Sequence, residues 1–298
     1  MTTAQARPSA KTRPPPRCRL SVCSGPLVTL PPEDLFGLLK DADIDAVELL
    51  GEPSCYQGQP VRQMLSDNGF AVTALTAAAR LPTARDLSGS DRPARESAVN
   101  HLLRCIEFGN EVGAPILCVA PSAVGRYWFT ASPEQEREWL VTGLRRVAVA
   151  AAGANMRVAI EVLNRYATPS IRTVESALQL LDDAEVDGGV VLDVFHANLE
   201  ERSLAGAVRT ADDRLFNVQI ADNTRQGPGY GLIDFVSLAG ALSDIGYAGP
   251  LALEAFPEGS EAFPSVDAAG IPEVVGYIKG YRRFFNELPI RVAPCRAL

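Results

Sequence analysis

Alternation of strand-like and helix-like stretches, repeated eight times from Arg19 onward, constrains this chain more than any other feature of its 298 residues. Strand-like runs at 19–23, 46–50, 70–75, 115–120, 158–162, 190–194, 215–220 and 251–253 are short, apolar and rich in β-branched residues, as strands buried on both faces are. Helical patterns follow them over 32–41, 61–68, 95–112, 133–152, 171–181 and 203–210, from Leu232-Ile233-Asp234-Phe235 onward, and over 272–288. The third is long and amphipathic, with Leu102, Leu103, Ile106 and Phe108 at helical spacings. Eight βα units without a break in composition predict an α/β protein with a single (β/α)8 TIM barrel, a fold of about 250 residues plus insertions. A doubly wound open sheet is the alternative, but no G-x-G-x-x-G follows the first strand. The barrel is expected over 18–290, between a Pro- and Arg-containing tail, 1–17, that reads as disordered, and a short tail, 291–298.

Composition removes several classes of function. A net charge of -8 argues against nucleic acid as a partner, because phosphate binding needs clustered Lys and Arg. No run approaches the ~20 apolar residues of a membrane span. Lys11, Lys40 and Lys279 are the only lysines, and none sits at a strand end where a Schiff base could form. The six cysteines, at 18, 23, 55, 105, 118 and 295, contain no C-x-x-C pair; Cys23 and Cys118 lie in strand-like runs and are expected as buried thiols. Without a signal-peptide pattern the expected compartment is the cytoplasm.

In a barrel, polar residues at the carboxyl ends of neighbouring strands converge on one mouth. Strand five ends in Glu161, strand six in Asp193, strand seven in Gln219 and strand eight in Glu254. Three carboxylates and an amide oxygen so placed repel one another unless a hard divalent cation neutralises them, which points to Mn2+, with Mg2+ or Co2+ as alternatives. Zinc is disfavoured, since no His or Cys belongs to the set. Each member also has a plainer reading: a carboxylate closing a strand can be a helix cap, and a buried Gln can bond to backbone.

His196 leaves strand six just beyond Asp193 and is read as a substrate contact or proton carrier. The other histidine, His101, lies on the third helix and is expected at the surface or in a satisfied structural role. After strand seven comes Asp222-Asn223-Thr224-Arg225-Gln226-Gly227-Pro228-Gly229-Tyr230-Gly231, whose glycines permit backbone angles closed to other residues. Arg225, the loop's only positive charge, either binds a substrate oxygen or pairs with Asp222.

The stretches Ile160-Glu161-Val162-Leu163-Asn164-Arg165-Tyr166, Asp193-Val194-Phe195-His196, 222–235 and Leu253-Glu254-Ala255-Phe256 resemble those of the xylose isomerase-like TIM barrels of the sugar phosphate isomerase/epimerase superfamily. Within it, the ketose 3-epimerases and hydroxypyruvate isomerase look most similar. The R-x-x-P-G-x-G-x-I-D-F segment is the specific part; Glu48 in DAVELL and Gly113-Ala114-Pro115 are softer matches. The resemblance implies a metal held from strands five to eight, with Glu161 and Glu254 exchanging protons on opposite faces of the substrate through an enediolate. It also implies that His196 and Arg225 bind around the carbonyl oxygen, and that the protein forms a dimer or tetramer. Gln219 stands where the epimerases have a His ligand, and Ala167 where they have a second Glu that holds the sugar terminus. An amide at that ligand position resembles 3-dehydroshikimate dehydratases. Endonuclease IV-type chemistry needs more histidines than this chain has, and true xylose isomerases use a site lysine that it lacks.

The function expected is therefore a divalent-metal-dependent isomerase or epimerase of a sugar or sugar-like hydroxy ketone, the substrate being a carbohydrate or cyclitol-like molecule. The alternative is a lyase on the same scaffold, of inosose or 3-dehydroshikimate dehydratase type or a keto-glycoside eliminase. A non-catalytic metabolite-binding barrel is the third reading, motivated by Gln219 and Ala167.

Overall fold

A computed structural model describes residues 17–56, 60–78, 80, 83–260 and 266–292. Nearly all of the predicted N-terminal tail and most of the predicted C-terminal one lie outside these residues. Eight parallel strands close into a barrel in sequence order: β1 (Arg19–Cys23), β2 (Ala46–Leu50), β3 (Ala71–Ala77), β4 (Ile116–Val119), β5 (Arg157–Glu161), β6 (Gly189–Asp193), β7 (Leu215–Ile220) and β8 (Pro250–Leu253). Pairing of Val22 with Leu253 joins β8 back to β1. This is the predicted (β/α)8 barrel, with strand ends within two residues of the expected ones.

The helices are α1 (Pro32–Asp41), α2 (Val61–Asp67), α3 (Arg92–Val112), α4 (Pro133–Gly153), α5 (Val174–Asp183), α6 (Val194–Glu200), α7 (Leu204–Ala211), α8 (Phe235–Asp244) and α9 (Ile271–Asn286). Local chemistry sets their ends. Ser132 caps α4 by accepting from the Gln135 amide at 3.2 Å, with Pro133 in the first turn. Gly113, at φ +77°, closes α3 in the left-handed conformation. Asp234 caps α8 through the Ser237 amide at 2.9 Å rather than lying within the helix. One helix was not expected: α6 begins directly after β6, and Asp193 is its cap, accepting from the His196 amide at 3.2 Å. The run 190–194 reads as continuous strand because Val194 is apolar, whereas the turn into the helix is made by the side chain before it.

Strand parity sorts the two faces of the barrel wall. Val158 and Ile160 of β5, Val190 and Leu192 of β6, and Val218 and Ile220 of β7 point outward into one large core shared with the helices. Ala159, Cys118 and Val191, with Phe216, form a separate apolar cluster of inward-facing residues. Glu161 and Asp193 each lie two positions beyond a member of that cluster, so the same parity directs them inward at the carboxyl end. Parallel strands thus carry carboxylates to the mouth without interrupting the outer core. No helix among the described residues is long and apolar enough to cross a membrane.

Candidate active site

Asp193 and Gln219 are register partners on β6 and β7, and Glu254 follows β8 with its backbone N–H bonded to the Ile220 carbonyl. Glu161, Asp193, Gln219 and Glu254 are all buried. The structure therefore brings the four expected oxygen donors to the same end of the barrel. Above them lies a cavity of about 280 Å³ lined by Glu161, Leu163, Asn164, Phe195, His196, Arg225, Glu254 and Phe256, among others.

Arg225 does not pair with Asp222. Its Nη1 donates to Asp193 Oδ2 at 2.6 Å, and its Nη2 lies 3.2 Å from Glu254 Oε2. The guanidinium also lies over the rings of Phe195 and Phe256, at 4.6 and 5.5 Å from their centres. Asp222 instead organises the loop from within. Its carboxylate accepts from the backbone N–H groups of Asn223, Gly229 and Ile233, at 2.9, 2.9 and 3.2 Å. That knot holds Arg225 at φ +64°, a conformation costing about 1 kcal/mol for a residue with a Cβ, and turns its side chain back over the barrel. Gly231 has no room for a Cβ, which would meet Asn223 Oδ1 at 2.1 Å and Asp222 Oδ1 at 2.3 Å.

Charge and burial act together on the titrating groups. Burial first, and then the Asp193 charge, push the Glu161 carboxyl up to about 8 against the pull of Arg225. Glu254 is likewise raised, by burial and by Asp193 and Glu161, although Arg225 opposes this. For Asp193 burial works upward, but Arg225 and His196 outweigh it and hold the carboxyl low. For Arg225 burial works downward and the two carboxylates outweigh it, so the guanidinium stays charged. Asp193 and Arg225 are thus an ion pair, and Glu161 and Glu254 are the groups poised to hold a proton.

His196 is buried neutral, its pKa lowered to about 4 by desolvation against the pull of Asp193. Its Nδ1 accepts from the Asn164 backbone N–H at 3.3 Å, which assigns the ring proton to Nε2. Atoms of Glu161, Asp193 and His196 lie within 4.8 Å of one another, close enough to share one cation. The tautomer nevertheless gives His196 an N–H donor toward the site rather than a free lone pair.

Gln219 supplies what the imidazole does not. Its Nε2 donates to Glu48 Oε1 at 2.8 Å, leaving Oε1 buried with no partner among the described residues. Glu254 Oε2 is also buried with no hydrogen bond among the described residues, since Arg225 approaches it off the line that one needs. Unsatisfied buried oxygens beside raised carboxyls are what a hard cation relieves, so the donor set fits a hard divalent ion.

Glu48 was only a soft match in sequence and its place here was not foreseen. It is fully buried on β2 and accepts from Thr76 Oγ1 and Asn217 Nδ2 as well as from Gln219. Because β2 and β7 are not neighbours in the barrel, the bonds from Asn217 and Gln219 cross its interior, whereas Thr76 reaches Glu48 from the adjoining β3. The readable signal was parity: Glu48 stands between Val47 and Leu49, which both face the outer core. His101 has the satisfied structural role that was one of its two expected readings; it is buried, 3.4 Å from Cys105 Sγ and 3.7 Å from Glu52 Oε1. Cys23 and Cys118 are buried free thiols, as expected.

Residues 36–279 match the family described as Xylose isomerase-like TIM barrel. A ketose 3-epimerase of Arthrobacter globiformis is 30% identical over 220 residues, covering 73% of this chain and 75% of that protein. A 3-dehydro-D-guloside 4-epimerase of Escherichia coli is 28% identical over 234 residues, covering 74% of this chain and 85% of that protein. Among solved structures, a D-allulose 3-epimerase from Methylomonas sp. in complex with D-allulose has a TM-score of 0.78 at 24% identity, over 92% of this chain and 98% of the other. At that identity the structural likeness speaks for the fold.

Proposed function

This chain belongs to the xylose isomerase-like TIM barrel family, and we propose that it interconverts sugars or sugar-like hydroxy ketones by moving a proton on the carbon beside the carbonyl. It is an enzyme of the isomerase or epimerase kind, as its relatives are. The observation that carries the reading is the pair of buried carboxyls, Glu161 and Glu254, which reach one cavity from the ends of β5 and β8. Two carboxyls in one cavity can take a proton from a bound carbon and return one to it, as epimerisation requires.

Glu161, Asp193, Gln219 Oε1 and Glu254 are the residues that would hold the cation. When bound, Mn2+, or Mg2+ or Co2+ in its place, supplies Lewis acidity that polarises the ketone and its neighbouring hydroxyl. The chain's own groups do the rest. One glutamate removes the proton from the carbon that bears this hydroxyl, beside the ketone, and the other delivers a proton to the opposite face of the same carbon. Arg225 and the Nε2–H of His196 donate to the oxygen on which negative charge develops, in a cavity walled by Phe195 and Phe256 that limits water. Asp193 holds Arg225 in place for this through the 2.6 Å contact.

The test is wash-in of solvent deuterium at the epimerised carbon, followed by mass spectrometry and NMR across ketoses, cyclitol ketones and keto-glycosides. Glu161→Gln and Glu254→Gln should each lower turnover by about 10²–10⁴-fold, the contribution typical of a positioned acid or base. A conjugated enone or a released aglycone would identify the lyase instead. Undiminished turnover in both variants would refute the reading.

A further inference from the structure

Two consecutive backbone amides on the loop after β5 are taken up by two side chains one turn apart on α6. The Asn164 N–H donates to His196 Nδ1 at 3.3 Å, and the Arg165 N–H donates to Glu200 Oε1 at 2.7 Å. His196 and Glu200 stand four positions apart and so share one face of α6. The Arg165 side chain closes over the same carboxylate, its Nε donating to Oε1 at 2.8 Å and its Nη2 to Oε2 at 3.2 Å. That Nη2 also donates to the Leu199 carbonyl at 3.2 Å, in the last turn of the helix. Glu200 thus accepts from three donors of one residue, with its side chain only 7% exposed.

The rest of the loop is tied elsewhere. Asn164 Oδ1 accepts from the Tyr166 N–H, and the Asn164 carbonyl from the N–H groups of Ala167 and Thr168, which folds 164–168 into a tight turn. Toward β4 the turn is held by the Gly125 N–H, which donates to the Ala167 carbonyl at 2.9 Å, and by Ser122 Oγ, 3.0 Å from Thr168 Oγ1. Toward β6 it is joined to α6 through His196 and Glu200. A 3.3 Å bond between neutral groups is weak, whereas a bidentate arginine on a carboxylate is strong and fixes direction. Asp193 already holds the first turn of α6 by accepting from the His196 N–H, and Arg165 holds the last. Resting on the function proposed above, in which the Nε2–H of His196 donates to the oxygen that gains charge, we infer that Glu200, clamped by Arg165, is a positioning residue for His196. It sets the Asn164 N–H against Nδ1 and so keeps the ring turned with its Nε2–H toward the substrate. Glu200 and Arg165 do not line the cavity, so their effect passes through the ring.

Three variants grade the clamp. Glu200→Ala removes all three bonds, Arg165→Ala keeps the backbone one, and Glu200→Gln keeps an oxygen for Arg165. Residue-resolved amide exchange by NMR follows the Asn164 N–H, and nitrogen NMR follows the His196 ring; the chain has only 2 histidines, and His196→Gln assigns the signal. Exchange at Asn164 should quicken about tenfold in Glu200→Ala, less in Arg165→Ala, and under about threefold in Glu200→Gln. The His196 ring should gain an Nδ1–H fraction in the same order. In deuterium wash-in, kcat should fall about tenfold to hundredfold in Glu200→Ala with KM within about threefold, as for a misplaced transition-state donor. Glu200→Gln should restore it. An Asn164 amide and a His196 ring that are both unchanged in Glu200→Ala would overturn the inference, whatever the activity. Amide and ring responses as expected with kcat at the wild-type level would overturn it as well. The same responses in a protein that shows no wash-in on any substrate would support the clamp and refute the proposed function.

Discussion

Replacing Glu48 in two ways separates hydrogen bonding from charge at the centre of the barrel. Its Oε1 accepts from Thr76 and Gln219 and its Oε2 from Asn217. In Glu48→Gln, an amide nitrogen at the Oε2 position would face the Asn217 amide, but Asn217 Oδ1 is buried with no partner among the described residues and can turn to accept. The other two bonds persist. Burial pushes the Glu48 carboxyl up against its hydrogen bonds, so a neutral amide also removes a cost, and the net loss should be about 1 kcal/mol or less. Glu48→Leu removes every acceptor and leaves three donors buried. At about 1–3 kcal/mol each, and with partial relaxation, the loss should be about 3–6 kcal/mol. At roughly 2 °C per kcal/mol in a chain of this size, thermal midpoints should fall by about 2 °C and by about 6–12 °C. Calorimetric titration of Mn2+ gives the second contrast. Gln219 stays oriented in Glu48→Gln and becomes free to turn in Glu48→Leu, so only the latter should lose about 10–100-fold in affinity. Equal destabilisation by both variants, or unchanged Mn2+ affinity in Glu48→Leu, would refute the assignment of Glu48 as the residue that positions Gln219.

Arg225→Ala leaves Asp193 and Glu254 buried without their cation and should cost about 3–5 kcal/mol in the metal-free protein. Added Mn2+ should restore most of it, and equal losses by chemical denaturation with and without the ion would disprove the shared-charge argument. The metal-free protein should also lose thermal stability as pH rises from 6.5 to 8. Folded Glu161, raised to about 8, holds its proton through a range where the unfolded chain has released it, so its favourable contribution fades toward pH 8. Below pH 6.5 the neutral burial of His196, lowered to about 4, acts in the opposite sense, with stability falling as pH drops. A flat or rising midpoint between pH 6.5 and 8 would contradict this. Gly231→Ala forces the Asp222 knot open and should lower kcat/KM at least tenfold while moving the thermal midpoint little, because the loop lies outside the main core; unchanged kinetics would show that Arg225 does not depend on that knot.

The barrel and the placement of Glu161, Asp193, Gln219 and Glu254 at one end of it were legible because both follow from period-two patterning. Apolar runs fix the strands, and a polar residue at the end of each run lands at the mouth whatever the loops do. Contacts whose partners are remote in the chain were not legible. Arg225 and Asp193 are 32 residues apart and Glu48 and Gln219 are 171 apart, and no local pattern links either pair. Arg225 with Asp222 was the pairing nearest in sequence. The backbone requirements of the Gly-rich loop defeat it, since Asp222 is consumed by three N–H groups before any side chain can reach it.

Gln219 and Glu48 make sense only together. An amide on β7 offers the mouth either an oxygen or an NH2 group, and in isolation nothing chooses between them. Among three carboxylates the NH2 group would be the better electrostatic partner, which would end any ligand role. A fully buried carboxylate across the barrel reverses that choice by taking the NH2 group for itself, so the oxygen is left over. The same carboxylate takes the amide of Asn217, two residues earlier on the same inward face of β7. β7 thereby presents an amide oxygen rather than an NH2 group to the mouth. Were it to hold the proposed cation, such a neutral, hard donor would leave the ion more electron-poor than imidazole would, and so favour polarising a carbonyl. Glu48→Leu with Gln219→His would restore a donor that needs no amide orientation; it should recover Mn2+ affinity relative to Glu48→Leu alone, and failure to do so would break the link between the two residues.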